Sequence, residues 1–400
     1  MKKALEDIFE PEIPVVSPGW AVLPFDQTAD VVSDKGKRVK QGSYLPAGKI
    51  PVIDQGQDPI GGYTDDEDMA FDDELPVILF GDHTRSLKYV DKRFAVGAEG
   101  VKILRPREGY VPKFFYYLLR SLQIPSRGYS RHFQFLRKFH LPLAPAEQQK
   151  RIVAEIEKQF SRLDEAVANL KRVKANLKRY KAAVLKAAVE GRLAPSERPW
   201  KQVVLGDIAT SIKNGYSKKP NAVHGTRIFR ISAVRQMELD VNDVRYLSGP
   251  PANYQSFLIE SGDVLFTRYN GSREYVGVCV RVPGSLPPTV YPDKLIRIRV
   301  PGSMLLPEFL VILASTGRAR EYIESKIRTT AGQSGISGGD LKSLPLNIPR
   351  VADQRQIVAE VEGRLSFIED LEATVKDNLI RADRLRQSVL IQGFAGQLVG

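Results

Sequence analysis

Two short runs in the second half of the chain collect the kinds of side chain that read nucleic acid. Lys213-Asn214-Gly215-Tyr216-Ser217-Lys218-Lys219 and Arg268-Tyr269-Asn270-Gly271-Ser272-Arg273 mix cations, amides, hydroxyls, an aromatic and glycine. Cations neutralise phosphates, Arg and Asn can make bidentate contacts to guanine and adenine edges, and Gly lets a backbone approach closely. The candidate contacts are Lys213, Tyr216, Lys218, Lys219, Arg268, Asn270 and Arg273. The first half offers Asp82 to Lys88 and Arg127 to Gln134, from which Arg85, Lys88, Arg131 and Gln134 are the candidates. Taken singly, each run reads as a solvated loop. Their recurrence at equivalent places in both halves favours a reading role for Arg85 and Arg268.

Other chemistry is poorly supported. Gly335-Ile336-Ser337-Gly338-Gly339 matches a nucleophile-elbow pattern, but its Gly/Ser-rich surroundings, without the strand and helix that would strain the serine, predict a flexible loop. No Gly-x4-Gly-Lys-Ser/Thr loop is present, which argues against ATP hydrolysis by this chain. His83, His132, His140 and His224 are scattered without metal-ligand spacing, and the single cysteine, Cys279, excludes a disulfide framework. No catalytic residue and no metal site are expected. The N-terminal residues lack a signal-like apolar core and no stretch approaches the roughly 18 apolar residues of a membrane span, so a cytoplasmic soluble protein is expected.

The net charge is +12, unevenly spread. Residues 146 to 196 carry 12 Lys and Arg against 6 Asp and Glu, and residues 197 to 348 carry 20 against 13. The first 145 residues balance only because seven acids crowd between Asp65 and Glu74. An excess of this size is compatible with a nucleic-acid partner without establishing one.

The elements that must position these residues are written twice. Gln149 followed by Ile152-Val153-Ala154-Glu155 returns as Gln354 followed by Ile357-Val358-Ala359-Glu360, and the register holds without insertion to Gly191 and Gly396. Uninterrupted by proline, this predicts two long helices. Ile156, Leu163, Leu170, Leu177 and Val184 form one heptad line in the first, and Val361, Ile368, Val375, Ala382 and Val389 form one in the second. The other line is broken by Lys174, Lys181, Glu372 and Arg386, which describes a narrow seam between two helices. The favoured reading is that the two helices of one chain pack on each other, with dimerisation between chains as the alternative. The globular segments repeat more loosely: Trp20 answers Trp200, Ile78-Leu79-Phe80 answers Val264-Leu265-Phe266, and Pro112-Lys113-Phe114 answers Pro307-Glu308-Phe309. Strands are expected at Val77 to Phe80, Ile228 to Ile231, Val264 to Thr267 and Leu295 to Val300, with helices from Lys113 to Leu122 and Glu308 to Ser315. These are α+β modules with a mainly antiparallel sheet.

On these features the whole chain resembles the specificity (S) subunit of type I restriction-modification enzymes. The carriers are the alternation of module and long helix, the Leu-Pro-Leu segments at 141 to 143 and 344 to 346, the Gln-(x)2-Ile-Val-Ala-Glu helix starts, and the ends Val184-Leu185 to Gly191-Arg192-Leu193 and Val389-Leu390 to Gly396-Gln397-Leu398. The segment Thr330 to Leu346 resembles the polar stretch that closes family recognition domains and adds Gln333 to the candidates, whereas Gly128 to Leu143 departs from that pattern with aromatic and basic residues. The resemblance implies an α+β fold with a pseudo-two-fold internal repeat: target recognition domains at 1–145 and 197–350 alternating with long antiparallel coiled-coil helices at 146–196 and 351–400. It implies a non-catalytic subunit whose two domains each read half of a bipartite double-stranded DNA site, with the paired helices setting the gap. The implied partners are two methyltransferase subunits and two restriction subunits. The chain itself would bind no cofactor; S-adenosylmethionine, ATP and Mg are expected on those partners. An S-like subunit of another phage-defence system, or a structural coiled-coil protein, are the alternatives.

Overall fold

The computed structural model describes residues 9–97, 99–126, 128, 130–194, 198–330 and 332–398. It divides into two compact units, residues 1–171 with 376–400 and residues 172–375, so each long helix contributes to both.

The first unit is built on an antiparallel four-stranded sheet in the order Ala29–Val32, Val101–Pro106, Val77–Gly81, Leu87–Val90. The strand Val77–Gly81 is buried throughout because both faces are covered, with alternate side chains feeding different cores. Ile78 and Phe80 join the cluster under the helix Pro112–Ser121, while Val77 and Leu79 pack with Phe94 and Ile103. Proline opens that helix, where its missing N–H is not needed, and Phe114, Phe115, Leu118 and Leu119 form its buried stripe. A second sheet, Arg38–Val39, Ala95–Gly97, Ile50–Ile53, Gly62–Thr64, contains two parallel pairings.

The second unit carries an antiparallel sheet in the order Ser211–Asn214, Leu295–Arg299, Val264–Thr267, Cys279–Arg281. Beside it lies the helix Pro307–Ser315, buried from Phe309 onward. The strand expected at Ile228 to Ile231 begins two residues earlier, at Thr226–Phe229, and Ile231–Ala233 is a 3-10 turn.

Within each unit a two-stranded ladder leads the chain into its long helix: Ala21–Pro24 pairs with His140–Leu143, and Lys201–Val204 with Pro345–Ile348. The Leu-Pro-Leu segments lie on or beside these strands. The helices Ala146–Val189 and Val351–Phe394 follow, each of 44 residues and so about 66 Å long. A buried amide anchors each start. Gln149 Oε1 accepts from Val111 N at 2.7 Å while Nε2 donates to Gly109 O and Ala144 O, both at 2.7 Å. Gln354 accepts from Leu306 N and donates to Met304 O and Pro349 O, all at 2.9 Å. Each helix also stops the same way. Gly191 has φ +71° with Arg192 N bonded to Ala187 O, and Gly396 has φ +72° with Gln397 N bonded to Gln392 O. Both are Schellman endings, which place glycine in the left-handed region.

In the first unit, Ile152, Ile156 and Phe160 share one core with Val389, Leu390 and Phe394, and Arg386 pairs with Asp164. Rising numbers on one helix meet falling numbers on the other, which is antiparallel pairing. In the second unit, Lys181 lines a cavity with Val361, Leu365 and Glu369. Of the expected seam residues, Ile156, Leu177, Val184, Val361, Ile368, Val375, Ala382 and Val389 are buried, and Leu163 and Leu170 are half-buried.

Candidate nucleic-acid interface

In the second unit one connection, Tyr291 to Lys294, gathers both candidate runs at the end of the main sheet. Tyr216 N donates to Tyr291 O at 2.9 Å, and Asp293 N donates back to Tyr216 O at 2.9 Å. Arg268 N donates to Lys294 O at 2.7 Å, and Arg268 Nη1 to Asp293 O at 3.4 Å. The approach is close enough that a Cβ at Gly215 would fall 2.2 Å from Pro292 O, so glycine is required there. Burial pushes the Tyr291 phenol up to about 12. It therefore stays protonated and donates to Lys213 O at 3.2 Å.

The side chains divide by what they touch. Lys218, Lys219 and Gln333 are exposed. Lys213 Nζ donates to Ser256 O at 3.1 Å and lies 4.9 Å from the Phe257 ring, so its charge is partly engaged. Tyr216 packs edge-on against Tyr254 and Phe257 as part of a small apolar cluster. Arg273 donates to Glu324 O and Ile327 O, satisfying carbonyls at the C-terminal end of the helix Gly317–Lys326. Asn270 Oδ1 accepts from Ser272 N at 3.0 Å, shaping its own turn. Tyr269–Asn270 pairs with Gln333–Gly335, which pairs with Arg328–Thr330, so Gln333 belongs to the same edge as Arg268 and Asn270.

The flexible loop expected around Ser337 is instead ordered. The strand Gln333–Gly335 precedes it, and the helix Gly338–Lys342 follows with Ser337 as its N-cap in a reciprocal capping box with Asp340. Ser337 sits at an ordinary extended φ of −96°, and its hydroxyl is bonded to the Asp340 N–H and carboxylate. The pattern is explained by helix capping and not by a strained nucleophile.

In the first unit the two candidate runs are again tied together, here by Asp82. Its carboxylate accepts from Phe133 N at 2.8 Å, its carbonyl accepts from His132 N at 2.7 Å, and His132 Nδ1 lies 2.9 Å from that carbonyl. Across the turn, Thr84 and Ser86 hydroxyls both donate to Gln55 O. Arg85 has φ +60°, a region non-glycine residues rarely occupy, and its Nη1 donates to Ile124 O at 2.8 Å. Its side chain is exposed, as are Arg131 and Gln134. Lys88 is different: its ammonium lies 3.6 Å from Asp54, and burial lowers its pKa against the pull of that carboxylate. Arg127 and Tyr129 lie outside the described residues.

Sequence reasoning missed Lys294 altogether, and it held Tyr269 only within a run without naming it as a contact. Lys294 Nζ and Arg268 Cζ lie 5.3 and 4.6 Å from the Tyr269 ring centroid. Nothing local marks Lys294, because its neighbours are contributed by the strand end before Arg268, far earlier in the chain. Among the described residues no group of three or more His, Cys, Asp or Glu could hold a metal ion, and no helix is long and apolar enough to cross a membrane.

No family model matches the chain. It is 37% identical over 268 residues to the type I restriction enzyme EcoKI specificity subunit of Escherichia coli K12, and 27% identical over 267 residues to the StySPI specificity subunit of Salmonella potsdam. Each match spans 65% of this chain and 58% of the relative's length. Among solved structures, a chain from a study of complex assembly in the type I R-M system superposes with a TM-score of 0.69 at 18% identity, covering 96% of this chain and 100% of the other. The HsdS subunit from Thermoanaerobacter tengcongensis superposes at 0.53 and 17% identity, covering 96% and 98%. These two likenesses concern the α+β fold. In sequence the chain is similar to specificity subunits of type I restriction enzymes over 65% of its length, and in fold it is similar to these two solved chains.

Proposed function

We propose that this chain is the non-catalytic DNA-specificity subunit of a type I restriction-modification complex. Residues 1–145 and 197–350 act as target recognition domains, each reading one half of a bipartite double-stranded DNA site. The helices at 146–196 and 351–400 form an antiparallel coiled coil, related by a pseudo-two-fold repeat, that sets the gap between half-sites and docks two methyltransferase subunits. Two restriction subunits complete the assembly. S-adenosylmethionine, ATP and Mg belong to those partners.

One observation carries this reading. Each unit joins two cation-bearing polar runs at the end of a main sheet, through Asp82 in the first and through Tyr291 to Lys294 in the second. The frameworks correspond while the reading residues differ, which suits two different half-sequences. Methylome sequencing of a host expressing this chain with its methyltransferase tests it. A methylated motif of two unlike half-sites with a fixed gap is expected. Methylation that is absent, or unchanged when the chain is omitted, would overturn the proposal.

A further inference from the structure

The Tyr269 ring carries two cations at once. Arg268 Cζ stands 4.6 Å and Lys294 Nζ 5.3 Å from its centroid. Among the described residues neither cation has an ion-pair partner, and Arg268 Nε is buried without a hydrogen-bond acceptor. Two like charges held on one ring repel each other, and an arriving anion relieves that repulsion. A carboxylate would do this permanently in a purely structural cluster, and among the described residues no carboxylate is paired with either cation.

The backbone around the ring is fixed on every side. Ile336 N donates to Arg268 O at 2.9 Å, and Tyr269 pairs with Gly335 in the ladder. A Cβ at Gly335 would lie 2.3 Å from a Tyr269 ring atom, so only glycine lets the ring lie over that strand. The Tyr291 to Lys294 connection holds the second cation from the other side through Arg268 N and Tyr216. A planar guanidinium held over a fixed ring is restricted in where it can reach, and bidentate contact with the O6 and N7 edge of guanine needs that restriction. An ammonium on a longer stem acts as a point charge, which suits a phosphate.

We propose that Arg268, Tyr269 and Lys294 form one reading unit for the second half-site. Tyr269 is a positioning residue that orients Arg268 toward a guanine edge, and Lys294 neutralises a neighbouring backbone phosphate. This rests on the DNA-specificity function proposed above and gives three of its residues separate roles.

The roles separate experimentally in the full chain assembled with its methyltransferase, by fluorescence anisotropy on duplexes carrying the methylome-defined site and its single-base variants. Lys294→Ala should weaken binding to all duplexes alike and reduce the slope of log K against log salt by about one. Arg268→Lys and Tyr269→Leu should cost roughly tenfold on the intact site and relax discrimination at one guanine of the second half-site, leaving the first half-site as strict as before. Tyr269→Phe, which keeps the ring, should retain wild-type discrimination. If Tyr269 is only structural, Tyr269→Leu will lower the melting temperature and the affinity for every duplex together, without relaxing any base, and the positioning role fails. Wild-type discrimination and salt slope in all four variants would overturn the assignment while leaving the specificity function standing. A wild-type complex with no sequence preference would remove both.

Discussion

Gln354 has no exposed surface and spends its amide on three backbone partners, one donor and two acceptors, that belong to the turn before the helix Pro307–Ser315 and to the start of the long helix. A leucine of similar size would leave Leu306 N–H without its partner and two carbonyls poorer, at about 1–3 kcal/mol for each buried group left unsatisfied. Gln354→Leu should therefore destabilise the unit by about 2–4 kcal/mol, read as a fall in melting temperature on the order of 5–10 °C. A variant that melts with the wild type would show that the amide is incidental to packing. Cys279 makes a second residue-level case. It is 1% exposed, and burial pushes its thiol from 9.0 up to about 12, against the smaller pull of Arg320. The fold thus favours the protonated form; that contribution is complete below pH 9 and is lost as pH rises from 9 toward 12. Alkylation by iodoacetamide at pH 8 should be slow in the native chain and complete in denaturant, and Cys279→Val should lose less stability than wild type between pH 8 and 10.5. Fast native alkylation would contradict the burial.

At the scale of elements, the long helices were legible because every signal agreed: heptad lines, proline before each start and glycine after each stop. The endings at Gly191 and Gly396 could be placed from glycine alone, since only that residue takes the left-handed turn without cost. Ser337 was misread because a capping box needs its aspartate partner, and Gly/Ser richness masked the short helix that Asp340 starts. Site residues were harder, since Lys88 and Lys218 look alike in sequence while Asp54, 34 positions before Lys88 and just past a strand of the other sheet, engages only the former. A helix surface offers one more reading. Phe367 is 61% exposed on the second long helix, where a solvated helix would carry polar residues. If that surface docks a methyltransferase subunit, Phe367→Glu should abolish or sharply weaken co-purification with the methyltransferase while shifting the melting temperature of the isolated chain by no more than about 2 °C. Undiminished co-purification would move the docking surface elsewhere.

For the whole molecule, the proposed ruler makes the length of the helices a determinant of what DNA is recognised. The two 44-residue helices run without proline, and their seam positions recur every seven residues, so a heptad can be removed while the apolar line stays in register. Removing Leu163 to Asn169 together with Arg381 to Gln387, the stretches that contain the ion pair Asp164 and Arg386, takes one heptad from each helix and keeps their facing positions matched. Each helix then shortens by about 10 Å, comparable to about three base pairs of duplex at 3.4 Å each. None of the residues of the Tyr269 site or of the Asp82 turn is touched. The expected methylome therefore keeps both half-sequences and shortens the gap between them by about three base pairs. Because a straight helix drifts by about 20° per heptad while three base pairs of DNA rotate much further, affinity for the new site should also fall. A gap that stays at its original length, with the shortened chain folded and both half-sequences still methylated, would mean that something other than helix length sets the spacing.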